Sequence, residues 1–284
     1  MESVKSFSYD EKNYSLEFHS PKDHIARQVG MGKTFYEIEL LNAIKPFINH
    51  NDLVIDVGAN IGNHSIFFAG TRDCNVIAFE PYPTSFQLLL KNIKANKLLT
   101  SISARNCAVG RTAGFAKVTS VDEGNLGATR LGTVGEGEII VRTLDSFISS
   151  FNAAVKLLKI DVEGMEADVL KGAGQLLTID RPIVVCEAIS DEDYHQVENI
   201  LADYGYSRTE IFNYSATHLF LPKEWTGSGN YSRVNYYEDA LERMNLRVRK
   251  IWSEQTQFRQ FMSETRETLK DIKNIVEIDR KESD

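Results

Sequence analysis

LVIDVGANIGNHSIFFAG at residues 53–70, followed by NVIAFEP at residues 75–81, decides the fold of this chain. Leu53, Val54 and Ile55 make a short apolar run that ends at Asp56, and a turn with Gly58 and Gly62 follows. A helix-compatible stretch then runs through Phe68 and Ala69 to a second apolar run, Val76 to Phe79, closed by Glu80 and Pro81. Two strands bridged by a helix, with glycines in the first turn and a carboxylate about 20 residues on, form the crevice in which a parallel sheet grips a ribose.

The turn also discriminates between nucleoside ligands. A diphosphate needs G-x-G-x-x-G, because backbone must approach it closely and the helix N-terminus must face its charge. Here the pattern is Asp56-x-Gly58-x-x-x-Gly62, with Asn60 where a second glycine would stand. A leading carboxylate repels phosphate and suits an ammonium, which S-adenosylmethionine carries together with a sulfonium. The reading therefore places Asp56 near the methionine ammonium, Glu80 on the ribose hydroxyls, and the backbone of Gly58, Asn60 and Gly62 against the donor. Asn106, at the end of the third strand, is positioned to read the adenine edge.

Four stretches, DVGANIGNHS from Asp56, FEP from Phe79, NCAVG from Asn106 and LLKIDVEGMEADVLKGA from Leu157, resemble the FkbM family of S-adenosylmethionine-dependent methyltransferases. The likeness spans roughly residues 35–221, and KIDVEG at Lys159 to Gly164 is its most specific part. It implies a class I methyltransferase fold, a Rossmann-like, doubly wound and mostly parallel sheet of seven strands. It also implies O-methylation, commonly of sugar or natural-product hydroxyls. Tyr36 and Glu37 resemble the element that precedes the donor motif, which adds Glu37 to the donor side. KIDVEG is where donor methyl and acceptor are expected to meet, with Asp161 as the leading base and Lys159 or Glu163 next. Alternatively, Asp161 caps the following helix and Lys159 pairs with Glu163. Asp161 and Glu187, on neighbouring strand ends, could instead share a divalent cation; His64 and His218 read as hydrogen-bonded structural histidines.

Composition narrows the rest. The chain has 284 residues and a net charge of −8, which disfavours a nucleic acid partner. Cys74, Cys107 and Cys186 form no C-x-x-C pair and read as buried free thiols in a reducing compartment. No signal core or apolar span is evident, so a cytoplasmic protein is expected.

Residues 1–34 read as an N-terminal extension with a strand near Tyr14 to Phe18, residues 35–222 as the methyltransferase domain, and residues 223–235 as a flexible linker. A helix is expected over 34–48, a glycine-rich loop over 124–137, and a terminal hairpin at 206–212 and 217–221. Within 236–280, Leu241, Met244, Val248, Ile251, Gln255, Phe258, Met262, Thr265, Leu269, Ile272 and Val276 keep a seven-residue repeat. That pattern predicts a coiled-coil helix through which the chain self-associates as a dimer or trimer. Arg243, Arg247, Arg249 and Lys250 open that helix among acidic residues, a solvated face that leaves anionic lipid at the inner membrane face or a glycan-assembly protein as the alternative partner.

Overall fold

In a computed structural model, residues 3–120, 130–131, 135, 137–188, 190–213 and 216–227 are described. The N-terminal segment is an antiparallel hairpin, β1 (Val4–Tyr9) and β2 (Lys12–Glu17), followed by α1 (His24–Gly32). Chain order continues with α2 (Ile38–Ile44), β3 (Leu53–Val57), α3 (Asn63–Arg72), β4 (Asn75–Phe79), α4 (Pro83–Ala95) and β5 (Ile102–Arg105). Short strands β6 (Ala108–Val109), β7 (Gly114–Ala116), β8 (Val118–Ser120), β9 (Arg130–Leu131) and β10 (Ile139–Arg142) come next. The last part holds β11 (Val155–Ile160), α5 (Glu166–Lys171), α6 (Gly174–Ile179), β12 (Ile183–Glu187), α7 (Asp191–Asp203), β13 (Tyr206–Phe212), β14 (Thr217–Pro222) and α8 (Lys223–Gly227).

The main sheet has seven strands in the order β13-β14-β12-β11-β3-β4-β5. Strands β12, β11, β3, β4 and β5 run parallel, and β14 and β13 add an antiparallel edge. This is the mostly parallel, Rossmann-like arrangement expected from the resemblance. Central strands are apolar on both faces because helices cover both sides: β3, β12 and β14 are buried at every position. The strand order reverses between β3 and β11, and ligands bind at the carboxyl ends beside such a switch point.

Several elements differ from the sequence expectation, each for a local reason. The N-terminal extension is part of the same compact unit, which spans residues 1–225. Phe7 and Tyr14 from its hairpin pack on Phe35 at ring distances of 4.9 and 4.8 Å, and Phe35 packs on Phe67 of α3 at 5.3 Å. After β5 the chain leaves the main sheet at Asn106, and β6 joins β10 in a small separate sheet with β7. Helices α5 and α6 are separated at Gly172, where a Cβ would come within 2.1 Å of the Gly110 carbonyl oxygen. The expected 34–48 helix shrinks to α2 because Glu37 adopts a left-handed φ of 56°.

The linker expected from residue 223 begins instead with α8, held by an ion pair between Glu224 and Arg181 and by Trp225 under the Lys156 ammonium. Most of the 124–137 loop and all of the 236–280 heptads lie outside the described residues. The three cysteines are free and buried. No helix among the described residues is long and apolar enough to cross a membrane.

Candidate active site

The crevice is built from the loops that follow β3, β4, β11 and β12. After β3 the chain turns through Gly58 at φ +78°, Asn60 at φ +50° and Gly62 at φ +93° before α3 begins. Gly58 is required by contact as well as by its dihedral, since a Cβ there would stand 1.7 Å from the Asp161 carbonyl oxygen. The backbone of the first turn thus lies directly on the KIDVEG loop.

Glu80, at the end of β4, closes this turn from the other side. Its carboxylate accepts the Asn60 amide at 2.8 Å and the Tyr82 amide at 2.8 Å. Burial lifts its pKa to about 7, although the two amides and the Lys159 ammonium pull the other way. Each carboxylate oxygen keeps a lone pair for a further donor. Asn106 supports this corner by giving its amide hydrogens to the Glu80 and Pro81 carbonyls at 2.9 and 3.1 Å. Its NH2 group is used to shape the turn that presents Glu80, so of the amide expected at an adenine edge the oxygen is the part left to meet a ligand.

Asp56 is fully buried, and its carboxylate accepts the Ser65 hydroxyl at 2.6 Å and faces the Lys159 ammonium at 3.1 Å. Direct approach of a ligand ammonium to Asp56 is thereby closed. Lys159 also meets the Asp161 carboxylate at 3.3 Å and the Gly58 carbonyl at 3.1 Å. Burial opposes its charge, but Asp161 and Asp56 outweigh that and raise its pKa above the ordinary lysine value. Lys159 is a fixed cation and cannot act as a base, which corrects one of the sequence candidates.

Asp161 keeps about a third of its side chain exposed, 36% against 5% for Lys159. Burial alone would raise its pKa, yet the Lys159 charge and a hydrogen bond with Glu187 hold it below the usual carboxylate range. One oxygen each of Asp161, Glu163 and Glu187 lies within 4.8 Å of the others. The helix after this loop is capped at Met165, with no side-chain cap, so capping is not what Asp161 does. Glu163 takes a left-handed φ of 57° and Gly164 one of 104°.

Glu37, expected on the donor side, lies in the segment just before α2. It accepts the Asn213 amide at 2.8 Å and lies 3.2 Å from His64 Nε2. Tyr36 is locked beside it by a reciprocal pair with Asn63, amide to Oδ1 at 3.0 Å and Nδ2 to carbonyl at 3.1 Å. His64 Nε2 thus faces Glu37 without the hydrogen bond expected of it, and His218, whose ring nitrogens are buried, stacks on Tyr194 at 4.6 Å on the edge hairpin.

Sequence reading overlooked Ser65, Glu166 and Asn213. Glu166 is buried and accepts the Val162 amide at 3.1 Å and the Gly164 amide at 3.0 Å, so it sets the shape of the loop carrying Asp161 and Glu163. Its place two residues after Gly164, in an otherwise recognised run, was the available signal. Asn213 carried none, since its contact with Glu37 joins positions far apart in the chain.

The Methyltransferase FkbM domain model matches residues 56–208. Methyltransferase sdnD of Sordaria araneosa is 27% identical over 194 residues, covering 56% of this chain and 75% of its own. The hexuronic acid methyltransferase AglP of Haloferax volcanii is 26% identical over 178 residues, 62% of this chain and 71% of its own. A crystal structure of methyltransferase FkbM from Methylobacillus flagellatus superposes with a TM-score of 0.46 at 20% identity. That superposition covers 60% of this chain and spans 43% of the other.

Proposed function

The chain belongs to the FkbM methyltransferase family, and from that premise we propose that it moves a methyl group from S-adenosylmethionine to a hydroxyl oxygen of a glycan or other glycosylated acceptor. One observation carries this reading. A glycine turn clamped by Glu80 and a loop bearing Asp161 meet at the carboxyl ends of adjacent strands, with backbone of one pressed on backbone of the other.

The residues fit the donor. The left-handed glycine turn leaves backbone bare, and Glu80 retains acceptor capacity for the two ribose hydroxyls. Asp56 serves the donor indirectly, by fixing Lys159 and Ser65 behind the turn. Bound there, S-adenosylmethionine supplies an electrophilic methyl on sulfur and departs as the neutral thioether. The chain's own work is alignment, which can be worth about 7–11 kcal/mol, and removal of the hydroxyl proton. Asp161 is the partly exposed carboxylate beside the turn, its charged form favoured by Lys159, and the hydroxyl proton passes to it.

A sugar acceptor is supported by the relative named as a hexuronic acid methyltransferase. A small natural-product hydroxyl is the other acceptor, and an assembly protein that has kept only the fold is the non-enzymatic reading. Calorimetric titration with S-adenosylhomocysteine tests the core of the proposal, because absence of binding removes it. Mass spectrometry of the host's glycans with and without the gene then looks for the loss of one methyl.

A second reading concerns metal. The three carboxylates within 4.8 Å are the hard-oxygen set that a divalent cation takes. Activity that survives EDTA without loss removes it. We extend the proposal to the tail, whose heptads over 241–276 would join two or three copies; light scattering with and without residues 236–284 reports on this.

A further inference from the structure

We infer that Tyr36 is an acceptor-binding residue: its phenol donates a hydrogen bond to an oxygen of the acceptor next to the hydroxyl that is methylated. The inference rests on the methyl-transfer reading and adds a specificity-determining contact to it.

The segment that carries Tyr36 crosses the mouth of the crevice. On one side Tyr36 is clamped to Asn63, the first residue of α3, through its amide at 3.0 Å and its carbonyl at 3.1 Å. Gly62, the end of the donor turn, immediately precedes Asn63. On the other side Glu37 accepts the Asn213 amide at 2.8 Å, and the same Nδ2 donates to the Thr217 hydroxyl at 3.1 Å. Thr217 opens β14 and pairs with Glu187, the last residue of β12. One anchor therefore follows the carboxyl end of β3, and the other stands beside the carboxyl end of β12. The strand between those two in the sheet is β11, which leads directly to Asp161. Tyr36 and Glu37 thus bridge the loop that holds the proposed base.

The phenol is the open end of this bridge. Its ring meets the His24 ring nearly at a right angle, with centroids 6.0 Å apart, so one side of it is packed against the start of α1. Asn63 uses its backbone groups, but among the described residues its hydroxyl has no hydrogen-bond partner, and the side chain is half-buried. Burial first, and then the charges of Glu37, Asp161, Glu187 and Glu163, hold its pKa above the ordinary tyrosine value. The phenol therefore stays protonated, and apart from its neighbour Glu37 the carboxylates that act on it are those at the ends of β11 and β12.

The chemistry of the crevice leaves a place for such a donor. Asp161 accepts the proton of the reacting hydroxyl, and with that contact alone the acceptor can swing about it. In-line transfer needs the oxygen lone pair aimed at the methyl, so a second contact must fix the acceptor's rotation. Ionised carboxylates supply only acceptor atoms. The Lys159 ammonium is engaged by Asp56, Asp161 and the Gly58 carbonyl, and its side chain is 5% exposed. Tyr36 supplies the donor that is missing. A sugar carries an oxygen on the carbon next to almost every hydroxyl, and that oxygen is the group a neutral phenol donor selects.

The test compares the full-length protein with its Tyr36→Phe variant, which loses one oxygen and keeps the ring. The donor is S-adenosylmethionine labelled in its methyl group, and an extract of the host from which the gene has been deleted supplies the unmethylated acceptor. Initial rates of label incorporation are read against extract dilution, alongside Tm and calorimetric affinity for S-adenosylhomocysteine. Loss of one neutral hydrogen bond should raise the extract concentration at half-maximal rate about tenfold, with the maximal rate retained. Tm and S-adenosylhomocysteine affinity should not change, whereas a structural role would lower both together with the rate. Half-saturation that matches wild type overturns the inference and leaves methyl transfer intact. A variant that loses S-adenosylhomocysteine affinity also overturns it, because Tyr36 then serves the donor. A wild-type protein that binds no S-adenosylhomocysteine, or puts no label into the extract, brings down the methyl-transfer reading and this inference with it.

Discussion

Replacing Gly58 with alanine asks whether the donor turn and the KIDVEG loop are one packed object. Gly58 has φ +78°, and an added Cβ would sit 1.7 Å from the Asp161 carbonyl oxygen and 2.8 Å from its carbonyl carbon. The left-handed conformation costs an L residue roughly 1–2 kcal/mol. Forcing a methyl into packed backbone adds typically about 1–3 kcal/mol. The sum, about 2–5 kcal/mol, is a large share of the roughly 5–15 kcal/mol that holds a domain folded. For a unit of this size each kcal/mol moves Tm by about 2–4 °C, so Tm should fall by roughly 4–20 °C. Gly164→Ala is the matched control, because Gly164 has φ +104° and nothing within 4 Å of its added Cβ. It should show the conformational part alone, about 1–2 kcal/mol. Scanning calorimetry on both variants isolates the contact as the difference. Titration with S-adenosylhomocysteine should show Gly58→Ala losing donor affinity and Gly164→Ala retaining it. Equal melting temperatures for the two variants would refute the claim that the loops press on one another.

Three further perturbations address single groups. Asp161→Asn should lower kcat by about 10²- to 10⁴-fold while leaving donor affinity unchanged, as the loss of a positioned base does; full turnover in this variant would show that Asp161 is not the base. Lys159→Met leaves the fully buried Asp56 without its counter-charge and should cost about 3–5 kcal/mol in chemical denaturation, most of it recovered when Asp56→Asn is added. Glu80 gives a pH signature: its folded pKa of about 7 lies above the reference value of 4.5, so its contribution to stability is full below the unfolded value and is lost as pH rises through about 7. Ionised Glu80 is the better acceptor for ribose hydroxyls, so S-adenosylhomocysteine affinity should rise over that same window, and Glu80→Gln should flatten both curves.

The parallel sheet was legible because β3, β4, β11 and β12 are short apolar runs with a carboxylate at or beside their carboxyl ends, and such runs alternate with helical spacing. The carboxylates at strand ends were legible for the same reason, since a strand's last residue must face the crevice. What the chain's order hides is which partner each side chain finds. Lys159 looks like a base candidate until its ammonium is seen between Asp56 and Asp161, and Asn106 looks like a ligand reader until both its amide hydrogens meet backbone carbonyls. Long-range partners set both outcomes, and local pattern holds no record of them. The N-terminal hairpin was half visible for a similar reason: Tyr14 to Phe18 alternates as a strand should, but Phe7 gains its place only through Phe35 and Phe67.

These contacts explain why the donor and acceptor halves of the crevice should not be separable. The Asp161 amide donates to the Val57 carbonyl at 3.0 Å, Lys159 bonds the Gly58 carbonyl, and its ammonium lies between Asp56 of the first loop and Asp161 of the second. Glu166 then freezes the stretch from Val162 to Gly164 by its amides. A carboxylate aimed by this many independent restraints moves only if the donor turn moves with it. Misplacement of a reacting group by 1 Å can cost about 10²-fold in rate, so the buried Asp56–Lys159 pair acts on chemistry without touching substrate. In this chain the glycine turn after β3 and the loop after β11 are two ends of a single ion network.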